Sequence, residues 1–303
     1  MNREVTTSRI LMIEPVRFRT NEETLSDNAL QHRFEGGSDE EIEQQALREF
    51  RDCVALLRDH GINVSVFTPH AECESPDAVF CSHWFTTHLQ LGGLFVTYPM
   101  RSPKRRTERS PEIVDFLKRR YPTMIDLTQY EEREEYLEGT GSLVFDRVHR
   151  VAYMASSTRS TERLASRWAS LLGYRLLLFN ASGRDGRPIF HTELIISLGD
   201  DHVMWCPEVI AEESLAIVRE TLEESERELI EISREQLMNF LGSMVSLGSS
   251  SGRIHFLSSR AYNSMTEDQR ARLEKYGKIV HTPLDAIEQY GGGSAASMIA
   301  ELV

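Results

Sequence analysis

The 303-residue chain is expected to fold as an α/β protein in which five strand, strand, helix, strand units follow one another, a pattern that suggests a closed ring of repeats. Three observations carry that expectation. Strand-like and helix-like patterns alternate at intervals of about fifty residues. No tract rich in Pro, Gly or Ser and no low-complexity stretch marks a boundary, so one domain spanning 1–303 is expected. Apolar stripes begin and end at capping signals. Residue identity between units is faint, and an ordinary mixed-sheet protein with accidental spacings stays open on spacing alone.

The first unit is expected to run from a strand at 9–14, through a helix starting near Ser38, to a strand at 63–67. Ser38 and Glu41 form a capping box, Ile42, Ala46, Phe50, Cys53, Val54 and Leu57 make one apolar stripe, and Gly61 stops the helix. The second unit takes 77–80, a strand at 94–98, a helix opened by Ser110-Pro111 and a strand near 124–127. The third takes 142–145, 150–154, a helix over 161–172 and an apolar strand at 175–179. The fourth takes 193–197, 203–206, a helix near 213–224 and 228–232. In the fifth, 254–257 precedes a helix capped by Thr266 and Gln269, a strand at 278–281 and a final stretch at 296–302.

Composition narrows the function. A net charge of -13 disfavours nucleic acid and anionic membrane as partners, since both reward a basic face. No segment approaches the roughly 18 unbroken apolar residues of a membrane span. The opening Met1-Asn2-Arg3-Glu4 leads into Ile10-Leu11-Met12-Ile13, too short for a secretory segment, and a cytoplasmic location is expected. Cys53, Cys73, Cys81 and Cys206 show no C-x-x-C spacing, so neither a zinc site nor a disulfide scaffold is indicated and the thiols are expected to be reduced. The basic run Arg101-Ser102-Pro103-Lys104-Arg105-Arg106-Thr107-Glu108-Arg109 fits a solvated loop, or an electropositive wall for a substrate carboxylate.

Four segments suggest chemistry: Pro76-Asp77, Glu138-Gly139-Thr140-Gly141, His191-Thr192-Glu193 and Gly291-Gly292-Gly293-Ser294. Singly, each has a plain reading as turn, solvated acidic face or structural histidine. Together they share a setting, each at the mouth of a turn feeding a strand, and in a ring of repeats such mouths converge on one pocket. Carboxylates beside a histidine suit a planar cation, because they accept the paired N–H donors of a guanidinium. The carbon of a guanidinium or ureido group is a poor electrophile, so attack on it requires a strong nucleophile, a proton donor for the leaving nitrogen and a base for water. His191 and Glu193, two apart on an expected strand, would point to one face, where Glu193 orients ligand or histidine.

These segments, with Asn21-Glu22-Glu23-Thr24 and Asp27-Asn28, Trp84-Phe85-Thr86-Thr87-His88, Tyr98-Pro99-Met100-Arg101 and Ser157-Thr158-Arg159, resemble the guanidine-modifying enzymes. That superfamily comprises arginine deiminases, dimethylarginine hydrolases and amidinotransferases, and the likeness is closest to its citrulline-utilization hydrolase branch. The resemblance spans nearly the whole chain. It implies a five-bladed α/β propeller, a pentein, and so favours the ring. It further implies a hydrolase acting on arginine, citrulline or a related free amino acid through a covalent thiol intermediate, with no metal or organic cofactor. Asp77 and Glu138 would hold the guanidino or ureido nitrogens, His191 would shuttle protons, and Arg101 and Arg159 would bind the amino-acid carboxylate. Gly292 and Gly293 would line the substrate site beside Glu193.

The nucleophile position is Ser297, where the family has cysteine, and Ala296 stands where close relatives commonly carry arginine. A hydroxyl is far less acidic than a thiol, so the chain as written is expected to be nearly inactive. Cys81, four residues after Asp77, is a weaker candidate as a replacement nucleophile. An amidinotransferase, a non-catalytic binder of arginine-like ligands and a purely structural repeat protein are the competing readings. Oligomeric state stays open, a homo-oligomer included.

Overall fold

The two ends of the chain meet in one sheet. In the computed structural model, which describes residues 6–33, 38–249 and 251–303, β1 (Arg9–Ile13) runs parallel to β2 (Asn63–Phe67) and antiparallel to the last strand, Ala300–Glu301. The opening Met1-Asn2-Arg3-Glu4 lies outside the described residues.

Four further sheets repeat this pattern: β3 (Phe85–His88), β4 (Leu94–Thr97) and β5 (Thr123–Asp126); β6 (Val144–Asp146), β7 (Val151–Ala155) and β8 (Arg175–Phe179); β9 (Ile196–Leu198), β10 (His202–Trp205) and β11 (Glu228–Glu231); β12 (Val245–Ser249), β13 (Gly252–Ser258) and β14 (Lys278–Thr282). In each, the middle strand pairs antiparallel with one neighbour and parallel with the other. A parallel pair needs a crossover, and one helix in each unit supplies it. These are α1 (Asp39–Asp59), α2 (Pro111–Lys118), α3 (Glu162–Leu172), α4 (Glu212–Glu223) and α5 (Glu267–Leu273). The C-terminal strand, β15, is the antiparallel partner the first sheet would otherwise lack, and it closes the ring. β15 lies against β3, β6 against β9, and β9 against β12, so these antiparallel strands face the axis. The fold is a five-bladed α/β propeller.

The helices form where the apolar stripe and caps place them. Ser38 and Glu41 make the reciprocal capping box of α1, and Ile42, Ala46, Phe50, Cys53, Val54 and Leu57 are buried against blade one. Thr266 and Gln269 do the same for α5. Gly173, at φ +70°, ends α3. Among the described residues no helix is long and apolar enough to cross a membrane.

Most differences from expectation lie at the strand mouths. Strands were expected at 77–80 and from Ser142, Glu193 and Ala296, whereas 77–80, 139–142, 192–194 and 295–298 form turns or single helical turns, and the final stretch, expected in the fifth unit, joins the first sheet. The inner strands therefore start later, at Phe85, Val144, Ile196 and Ala300. In blade five, β12 was absent from the sequence reading, because Val245-Ser246-Leu247-Gly248-Ser249 is short and runs into a Ser/Gly turn.

Burial also sets the state of several side chains. All four cysteines are free and buried, and burial pushes the thiols of Cys81 and Cys206 up to about 12. The ring of His202 is buried with neither nitrogen hydrogen-bonded, packed edge-on to His255 at 4.7 Å between centroids. Burial lowers its pKa to about 3, with the His255 charge acting in the same direction. A base whose folded pKa is depressed contributes full stability above its unfolded value, and loses it as pH falls toward the folded one. Replacing His202 with leucine removes this dependence. Between pH 7.5 and pH 5 the His202→Leu variant should gain about 2 kcal/mol on the unaltered protein in urea unfolding. Parallel pH curves for the two proteins would contradict the assignment.

Candidate active site

The turns that precede four inner strands deliver their side chains to the axis. The turn before β3 carries Asp77, Phe80 and His83, the turn before β6 carries Glu138, the turn before β9 carries His191 and Glu193, and the turn before β15 carries Ser297. Arg105, after β4, and Arg159, after β7, complete the wall. His191 and Glu193 do share the pocket, but the single helical turn Thr192–Leu194, not a strand, brings them there.

Glycine is required at two of these turns. Gly139 has φ +45°, and a Cβ there would lie 2.4 Å from the Ser82 carbonyl oxygen. Gly292 has φ +67°, and its Cβ would meet the Asn28 amide at 2.3 Å. Asn28 donates to the Gly292 carbonyl at 3.2 Å, tying the N-terminal loop to the glycine turn. Gly293 faces the Phe80 ring.

The centre of the site is a buried chain of hydrogen bonds. His191 Nε2 lies 2.9 Å from Glu138 Oε2. Glu138 is held in turn by the amide of Arg101 at 3.0 Å, and Arg105 and Arg159 stand at 3.8 and 3.7 Å. Burial raises the Glu138 pKa, but the His191 bond and the two guanidinium groups outweigh it and hold the carboxyl well below its usual range. On the other side, Ser297 Oγ donates to Glu193 Oε1 at 2.5 Å, His83 Nε2 lies 3.0 Å from the same oxygen, and His191 Nδ1 lies 3.8 Å from it. Glu193 Oε2 has no partner. Burial opposes ionisation of Glu193, yet the two histidines and the Ser297 hydroxyl lower its pKa overall.

Asp77 accepts from Asn21 Nδ2 at 2.7 Å and leaves its other oxygen, Oδ1, unpartnered. Burial raises its pKa against the pull of Arg105. Arg105 is fully buried, donating to both oxygens of Glu108, to the Phe80 carbonyl and to His83 Nδ1. It is therefore part of the site wall, whereas Lys104 and Arg106 in the same run are half-buried. Arg101 and Arg159 converge on Asp27, at 3.0 and 2.5 Å. The remaining cavity is about 10 Å³, room for roughly one water.

Cys81 does not reach this cavity. Its thiol points at the carbonyls of Leu11 and Met298 and is buried among apolar side chains, so it is not placed to act as a nucleophile there. The sequence reading gave no role to three members of the site. His83 had only its place six residues after Asp77, Arg105 was hidden in an apparently solvated basic run, and Asp27 stood only among the segments of the resemblance.

Five blades of this topology around a buried carboxylate and histidine cluster define the guanidine-modifying propellers. The family model described as eukaryotic N,N dimethylarginine dimethylhydrolase matches residues 14–303, and the chain belongs to that family. The N-terminal domain of ArgZ, a cyanobacterial arginine dihydrolase solved as a cysteine-to-serine mutant with substrate bound, superposes with a TM-score of 0.75 at 18% identity, covering 96% of each chain. The dimethylarginine hydrolase of Pseudomonas aeruginosa, a cysteine-to-serine mutant complexed with citrulline, gives 0.67 at 13% identity over 97% of this chain and 99% of its own. AgrE, a cysteine-to-alanine mutant with L-arginine, gives 0.75 at 18% over 97% of this chain and 40% of its own. No curated protein sequence matches. The family and these neighbours are hydrolases of the guanidino group.

Glu138 accepts from His191 and the Arg101 amide and is one of the carboxylates beside each of two buried guanidinium groups, with Glu108 beside one and Asp27 beside the other. Glu138→Gln is expected to cost about 3–5 kcal/mol at neutral pH in urea unfolding. Because its folded pKa is depressed, that contribution is complete above the unfolded value of about 4.5 and fades as pH falls further. A loss below about 1 kcal/mol at pH 7 would show that Glu108 and Asp27 suffice for the arginines and that Glu138 adds little.

Proposed function

We propose that this chain carries the pocket of a hydrolase for the guanidino or ureido group of arginine, citrulline or a methylated arginine, with its covalent step disabled at Ser297. The observation that carries the reading is the hydroxyl of Ser297 at the end of the glycine turn. It sits in the same buried cluster as a histidine whose far nitrogen is held by a carboxylate. In a thiol form, Cys at 297 would attack the side-chain carbon, His191 would protonate the departing nitrogen, and the same imidazole would take a proton from the hydrolytic water. Asp77, with one free oxygen, and Glu138 suit the paired N–H donors of the group. An incoming α-carboxylate would compete with Asp27 for Arg101 and Arg159, and entry requires the cavity to open.

Serine lacks the means to follow that route. Its hydroxyl donates to an anionic carboxylate that is a weak base, and no thiolate is available. The same hydrogen bond favours a second reading, a non-catalytic binder of arginine-like ligands that keeps the pocket and not the chemistry. Resolution by a second amine, as in an amidinotransferase, has no feature of this site in its favour.

The two readings separate in one assay. Ammonia and amine release from arginine, citrulline and methylated arginines is measured for the unaltered chain and for Ser297→Cys. Restored turnover at least about 10³-fold above the unaltered chain is the expected result. Absence of turnover in both forms, with ligand binding measurable by calorimetry, would overturn the hydrolase reading and leave the binder.

A further inference from the structure

We infer that the ligand of this site is an amino acid whose α-nitrogen carries an apolar acyl group, held in a second cavity beside the central one. The inference rests on the guanidino or ureido reading above and narrows its ligand class to Nα-acylated arginine or citrulline.

The second cavity, about 640 Å³, lies between the N-terminal loop at 27–30, the loop at 183–190 and the helical turn Arg234–Met238. That is the size of a small-molecule site, whereas the central cavity, about 10 Å³, holds roughly one water. Phe190 and Leu194 line both spaces. The rest of the partition is ionic. Asp27, on the outer side, pairs at 2.5 Å with Arg159, on the inner side, and the Arg159 guanidinium carbon lies 4.8 Å from the centre of the Phe190 ring. One layer of side chains therefore separates the cavities, and the arginines that suit an α-carboxylate, Arg159 and the Asp27-bound Arg101, belong to that layer.

The outer cavity is mainly apolar. Leu30, Ile189, Phe190, Leu194, Val209 and Leu237 line it and are at most 9% exposed, and Met238 on the same wall is 45% exposed. A free arginine would leave these walls in contact with water.

The connectivity of an α-carbon decides which group enters. With the side chain in the central cavity and the carboxylate on Arg101 and Arg159, the nitrogen is the substituent left to continue into the outer cavity. A free α-amino group is largely an ammonium at neutral pH and needs a counterion when buried. Asp27 and Asp185 on this wall are already paired with arginines, and Glu235 is exposed. An acylated nitrogen is a neutral amide that needs no counterion, and its apolar tail removes the walls from water. Burying an aryl group of phenylalanine size is worth roughly ten- to a hundredfold in affinity.

The test is calorimetric, on the unaltered full chain, with L-arginine and L-citrulline, each free and Nα-benzoylated, and with Nα-benzoylglycine. The benzoylated amino acids are expected to bind at least about tenfold more tightly than the free ones, and more tightly than benzoylglycine by a similar factor. Met238→Glu, which sets a carboxylate on the apolar wall, should bring the ratio of benzoylated to free affinity down to about one, whereas Leu171→Glu, at an exposed position on another helix, should leave the ratio as it is. Because a ratio within one protein is read, a general loss of stability does not imitate the result. Binding of free arginine or citrulline with equal or weaker binding of the benzoylated forms would overturn the acyl site and leave the guanidino reading standing. Benzoylglycine binding as tightly as benzoylarginine would overturn a ligand that spans both cavities. Binding of none of the five would overturn this inference and the guanidino reading together.

Discussion

A single buried hydrogen bond, from His191 Nε2 to Glu138, organises the rest of the site. It joins the turns of two blades, and it sets which nitrogen of His191 faces the cavity. Glu138 can remain charged in the interior because Arg105, Arg159 and the Arg101 amide all address it. Those arginines are in turn compensated by Glu108 and Asp27. The network is nearly closed; Asp77 Oδ1 and Glu193 Oε2 have no hydrogen-bond partner, and both residues line the cavity.

The fold makes this convergence possible. Each blade sends its inner strand toward the axis, and the turn that feeds that strand must stop short of the centre. Four such turns supply the residues, and closure of the ring by β15 brings Ser297 from the far end of the sequence to within 2.5 Å of Glu193. The site therefore depends on ring closure, with the glycines at 139 and 292 allowing backbones to approach where a Cβ would collide.

Much of this was legible in the sequence. The capping boxes at Ser38 and Thr266, the stripe of α1 and the strands 63–67 and 175–179 follow from local rules, because caps and apolar periodicity act over a few residues. Asp77, Glu138, His191 and Ser297 were found as motifs on turns. The strand mouths were misjudged because short apolar stretches beside glycine look like strands until tertiary contacts tighten them into helical turns. The roles of His83 and Arg105 were not legible, since nothing local distinguishes a buried arginine in a basic run from a solvated one. Asp27 belonged to the segments of the resemblance, but its role comes from a partner far away in the sequence, Arg159, at a separation of 132 residues.

The serine at 297 is where the proposed chemistry stops. The family hydrolyses the guanidino group, and this chain presents, beside a buried histidine and carboxylates, a hydroxyl bonded to Glu193. The most direct measurement is the nitrogen-15 NMR signature of the His191 ring at neutral pH, in ligand-free protein. The account predicts a protonated Nε2 hydrogen-bonded to Glu138. A bare Nε2 would mean that the carboxylate is not its acceptor, and would contradict the network on which the site depends.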